Sequence, residues 1–91
     1  MYELDSIVNL YKARTGVKRD KEVAARLHLS PAAFSNYMQG LNLMPQFAIA
    51  QISEGAGVDP MATMAAANVT YKKTPEEERS WWMAKLENLR I

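Results

Sequence analysis

Apolar positions recur along this chain at three- and four-residue intervals, the repeat that lines one face of an α-helix. Leu4, Ile7, Val8 and Tyr11 make the first such stripe, and Gly16 is placed to close that helix as a C-terminal glycine does. Asp20 is a capping residue type and precedes Val23, Ala24 and Leu27, the inward set of a short second helix. His28 and Leu29 form a turn. Ser30-Pro31 then pairs a capping side chain with proline at the first helical position. The third helix runs from Pro31 to about Gln39 with Phe34, Tyr37 and Met38 as its apolar set, and Gly40 ends it.

After the connection Leu41-Asn42-Leu43-Met44-Pro45, a fourth helix spans Gln46 to Glu54. It carries Phe47, Ile49 and Ile52 and is stopped by Gly55-Ala56-Gly57. Asp59-Pro60 repeats the cap-plus-proline start and opens a fifth helix to about Asn68, in which Met61 and Met64 read as core filler. Thr74-Pro75-Glu76-Glu77 is a third such start, with Glu77 where a capping box places its acid. Three glutamates in that first turn suit the positive end of the helix dipole. This last helix reaches about Leu89. The pattern contains no strand pair, internal repeat or low-complexity tract. It predicts an all-α fold, a compact bundle of five or six short helices. A main unit spans residues 1–68, and 69–91 supply a linker and an additional C-terminal helix.

Composition narrows the function classes. Ninety-one residues make one small domain. The absence of cysteine removes disulfides and thiolate metal sites and points to a reducing compartment. His28 is the single histidine and cannot build a histidine metal cluster, so neither metal nor cofactor is expected. Hydrophobic residues at 48% and charged ones at 23% are a globular balance, which argues against wholesale disorder. No run of about 18 apolar residues is present, and the opening MYELDSIVNLYKAR lacks a basic-then-apolar leader layout. The expectation is a cytoplasmic protein with no membrane partner.

The formal net charge is only +1, but its distribution is uneven. Between residues 12 and 26, Lys12, Arg14, Lys18, Arg19, Lys21 and Arg26 stand against Asp20 and Glu22, a local net of +4. The last seventeen residues set Glu76, Glu77, Glu78 and Glu87 against Arg79, Lys85 and Arg90, a local net of −1. A basic front segment fits an anionic partner and equally fits a solvated helix face.

Residues 20–40, DKEVAARLHLSPAAFSNYMQG, carry the most information. Two short helices meet at a tight turn, and steeply crossing helices need a small residue such as Ala24 where they touch. Leu29, Phe34 and Tyr37 pin the angle from inside. The outer face of the second of these helices is small and polar, and such a helix enters the DNA major groove closely. Enzyme chemistry finds little support. Gly55-Ala56-Gly57 lacks the strand and following pattern of a phosphate loop, and His28 has no evident acid partner for a triad. No catalytic residue is expected.

On these residues the segment V-A-A-R-L-H-L-S-P-A-A-F-S-N-Y-M-Q-G resembles the helix-turn-helix of Cro/cI-type, lambda-repressor-like phage regulators. VDPMATM is similar to the usual continuation. More narrowly, MAAANVTYKKTPEEERSWW resembles the C-terminal part of a family of small phage-related proteins of filamentous phages and prophages. The chain departs from the pattern at two points. His28 stands where the family has a turn glycine, and LNLMP after Gly40 is apolar where related repressors often carry Lys or Arg.

The resemblance implies sequence-specific binding of double-stranded DNA by a homodimer, as a transcriptional regulator that represses by covering a promoter. Asn36 falls at a base-reading position of the family, and asparagine can offer an adenine edge a donor and an acceptor together. Ala32 is placed to pack on a thymine methyl, and Ser30, Ala33, Ser35 and Gln39 complete the expected base-reading set. Lys18, Arg19 and Lys21, at the entry to the second helix, are the expected phosphate contacts. In the last helix Trp82, Leu86 and Leu89 share one face, and Trp81 points elsewhere. These four read either as caps on the chain's own core or as a dimer or partner interface. The competing functional reading is an adaptor or antagonist that binds a host or phage protein.

Overall fold

The computed structural model describes residues 3–89. They form six helices: α1 (Leu4–Thr15), α2 (Asp20–Arg26), α3 (Pro31–Met38), α4 (Gln46–Ala56), α5 (Pro60–Thr70) and α6 (Glu76–Asn88). The fold is all-α, and no strand occurs among the described residues. The α1 stripe is buried in full, Leu4, Ile7, Val8 and Tyr11 together. It packs most extensively on α4, where Ala48, Ile49, Ile52, Ser53 and Ala56 face inward.

The centre of the bundle is α5, which touches α1, α3, α4 and α6. Its core face is built from Ala62, Ala65, Ala66 and Ala67, small side chains that let four helices approach one. A buried polar pair ties α4 to α5. The Ser53 hydroxyl bonds Thr63 Oγ1 at 2.6 Å and also lies 2.7 Å from the Ile49 carbonyl oxygen.

Several boundaries differ from those the pattern predicts. Arg19, not Asp20, occupies the N-cap of α2, because the Asp20 carboxylate turns to Lys12 Nζ at 2.6 Å. Thr74 does not cap α6. Its buried hydroxyl donates to the Asn68 carbonyl at 2.7 Å, and Pro75 takes the cap position with no side-chain bond, so the capping box does not form. Gly55 lies inside α4, which ends at Gly57 in a left-handed turn. The Tyr11 ring explains that glycine: a Cβ on Gly55 would come within 2.4 Å of it.

Among the large apolar side chains on the surface are Phe47 of α4 and Met61, which the pattern reads as core filler. Phe47 is 55% exposed because it sits about 200° around α4 from Ile49. Met61 is exposed as well, off the alanine face of α5.

The C-terminal segment is part of the same packed body. After α1 and α4, the helices that pack most extensively on each other are α5 and α6, and Leu86 is only 2% exposed within the common core. Thr74 and Arg79 fasten the intervening link, with Arg79 donating to the Tyr71 carbonyl at 2.8 Å.

Candidate nucleic-acid interface

The unit formed by α2 and α3 is built from a short joint, residues 27–30. His28 adopts φ 59°, the sole left-handed residue other than glycine among those described. Histidine is one of the residue types that tolerate this region, so it fills a position suited to glycine. The Leu29 N–H donates to the Ala24 carbonyl at 2.9 Å, closing the turn over the end of α2. Ser30 then caps α3, its hydroxyl accepting from the Ala33 N–H at 3.1 Å, with Pro31 following. Behind the joint Val23, Ala24, Leu27 and Phe34 are buried, and Leu29, Tyr37 and Met38 pack against that core.

The other side of α3 is open. Ser30, Ala32, Ser35 and Gln39 are exposed, and Ala33 and Asn36 are half-buried. One residue pair on this face is already engaged, since Gln39 Nε2 donates to Ser35 Oγ at 2.7 Å. The bond holds the two side chains together and leaves the Ser35 hydroxyl proton and the Gln39 Oε1 and second N–H for a base edge. Asn36 has no such side-chain engagement among the described residues.

Lys18, Arg19 and Lys21 are exposed beside the start of α2 and form no ion pair among the described residues. Lys12 differs, being spent on Asp20. Arg26, counted only as charge in the sequence, is another exposed cation at the far end of α2. Leu41, Leu43 and Phe47 are exposed, and the Phe47 ring lies 6.1 Å from the His28 ring at a 40° tilt.

The tryptophan group divides. Leu86 belongs to the chain's own core and is not available to a partner, a correction forced by the docking of α6 on α5. Trp82 and Leu89 are partly buried against that core. Trp81 remains 53% exposed, edge-on to Trp82 at 4.9 Å, with Lys85 Nζ 5.0 Å from its ring centre. Met83 adds a second exposed apolar side chain on α6.

Among the described residues no group of three or more acidic or histidine side chains is placed to hold a metal ion. None of the described helices is long and apolar enough to cross a membrane. No protein-family model matches the chain, and neither a curated protein nor a solved structure matches it significantly.

Proposed function

We propose that this chain is a sequence-specific DNA-binding regulator of phage type that acts as a homodimer in the bacterial cytoplasm. The observation that carries this reading is the build of α3. Its back is fixed by Phe34 and the closed joint at His28, and its front offers small and polar side chains with Asn36 near the middle. A rigid helix with a low-profile polar front suits the major groove, where side chains close to the helix surface must reach base edges. Lys18, Arg19 and Lys21, exposed at the start of α2 and in no ion pair among the described residues, are cations suited to backbone phosphates.

In this mechanism the lysines and Arg19 neutralise phosphates and set the register. Asn36 then pairs with an adenine edge, and Ala32 fills space beside a thymine methyl. One short reader helix contacts too few base pairs for useful specificity, so two copies act on two half-sites. Exposed Trp81 on α6 is the large apolar side chain left for a twin after Leu86 is committed to the core. A bound dimer represses by covering a promoter.

Selection of binders from a pool of randomised duplexes tests the reading. The expected product is a motif of two related half-sites about 10 base pairs apart. Recovery of no motif, even at low salt, contradicts it. On the selected duplex, Lys18→Ala and Lys21→Ala are each expected to lower affinity for all sequences and to flatten the dependence of log affinity on log salt by about one. Titration at several salt concentrations measures this, and an unchanged slope for both variants removes these lysines from the interface.

The exposure of Leu41, Leu43 and Phe47 favours a second reading, an adaptor that docks on a host or phage protein. It is distinguished by a stoichiometric protein complex formed without DNA.

A further inference from the structure

A cleft of about 280 Å³ opens on the molecule where the start of α1, the last turn of α3, the end of α5 and α6 come together. Its walls are Leu4, Met38, Ala66, Val69, Met83 and Leu86. That volume is just below the range for sites that hold drug-sized ligands, about 300–1,000 Å³, and so suits a smaller molecule. The walls include two methionines, whose flexible thioethers adapt to varied apolar shapes.

Its polar groups are one-sided in charge. Thr70 also lines the cleft, but its hydroxyl is spent on the Ala66 carbonyl at 2.8 Å. Among the described residues the charged ones lining the cleft are Glu3 and Asp5, both exposed. Glu3 stands at the N-cap of α1 yet makes no capping bond, and neither residue is in an ion pair among the described residues. An apolar recess lined at one edge by two acidic residues that form no ion pair among the described residues complements a molecule with an apolar body and one positive end. We therefore infer that this cleft binds small amphipathic organic cations, with the apolar part against Met38, Val69 and Met83 and the ammonium beside Glu3 and Asp5. The inference stands apart from DNA binding, and its test contains no DNA.

The test is titration of the full chain with hexylamine and phenethylamine, and with hexanol and hexanoate as neutral and anionic counterparts. Methyl resonances of Met38 and Met83 are followed by NMR. The amines are expected to give saturable shifts at both methyls, with hexanol weaker and hexanoate without effect. Glu3→Gln combined with Asp5→Asn is expected to weaken amine binding about fivefold, the scale of two exposed charge pairs. Met83→Lys, at an exposed wall position, is expected to abolish binding while the rest of the spectrum stays folded. Equal binding of hexanol and hexylamine overturns the inference, as does the absence of saturable shifts. Shifts that follow protein concentration rather than amine overturn it too, and assign the cleft to a second copy of the chain.

Discussion

Replacing Leu86 by alanine is expected to cost about 2–5 kcal/mol of folding stability, the range for truncating a buried leucine that leaves a cavity. A chain of this size holds roughly 5–14 kcal/mol in total, so the variant loses a large fraction of it. The cause is the position of Leu86 between α5 and α6, at 2% exposure in the same cluster as Leu4 and the α5 alanines. Deleting residues 74–91 is expected to do more. It removes Leu86, the packing of Trp82, and the Thr74 hydroxyl that satisfies the Asn68 carbonyl. It also uncovers α5, the helix on which four others rest. Urea titration followed by circular dichroism should show a lowered midpoint for Leu86→Ala and no cooperative transition for the truncation. A truncated chain that melts as sharply as the whole would make α6 an appendage used only between subunits.

The second large effect is expected at Gly40, which joins the reader helix to the rest of the fold. Its φ is 78°, and a Cβ there would sit 2.1 Å from the Thr70 carbonyl oxygen, a backbone atom that cannot swing away. The Gly40 carbonyl also accepts from the Lys72 N–H at 2.9 Å, so the junction is held from both sides. Gly40→Ala should therefore cost about 2–5 kcal/mol, a left-handed backbone penalty and an overpacking penalty together. Gly16 supplies the control. Its φ is 80°, but nothing lies within 4 Å of a Cβ there, so Gly16→Ala should cost only about 1–2 kcal/mol. Equal losses in the two variants, measured by the same urea titration, would mean that the Thr70 backbone yields and that the junction is loose.

What the sequence made legible was whatever its short-range chemistry decides. The stripe Leu4, Ile7, Val8, Tyr11 needs only helical periodicity to declare its buried face. Ser30-Pro31 and Asp59-Pro60 start helices with caps that reach two or three residues ahead, and both caps form. The turn at His28 was legible because the inward set of α2 ends at Leu27 and the Ser30-Pro31 start follows at once, which leaves His28 and Leu29 for the turn. The features that stayed hidden depend on distant partners. Asp20 has a capping side chain, but Lys12, eight residues earlier, captures it. Thr74 is drawn to Asn68 by the docking of α6 on α5. Gly55 looked like a helix stop, and its actual reason is a ring on another helix. Phe47 and Leu86 show the same limit for exposure, since a side chain's burial depends on which helix arrives beside it.

The candidate interface divides along the same line. The composition of the α3 front could be read from spacing, because residues 32, 35, 36 and 39 share a face wherever the helix sits. The Gln39–Ser35 bond and the exposure of Leu41, Leu43 and Phe47 required the folded chain. Phe47 lies beside the joint through its ring pair with His28, an apolar neighbour where a cation would strengthen a phosphate grip.

The central claim is that α3 reads bases through Asn36, and the most direct measurement compares two affinities in one variant. Fluorescence anisotropy gives the affinity of the native chain and of Asn36→Ala for the selected duplex and for a scrambled duplex of equal length, at one salt concentration. The account predicts a loss of about 1–3 kcal/mol on the selected duplex with the scrambled duplex unchanged, because a base-edge contact carries specificity and phosphate contacts carry the rest. An equal loss on both duplexes, or no loss on either, would contradict it.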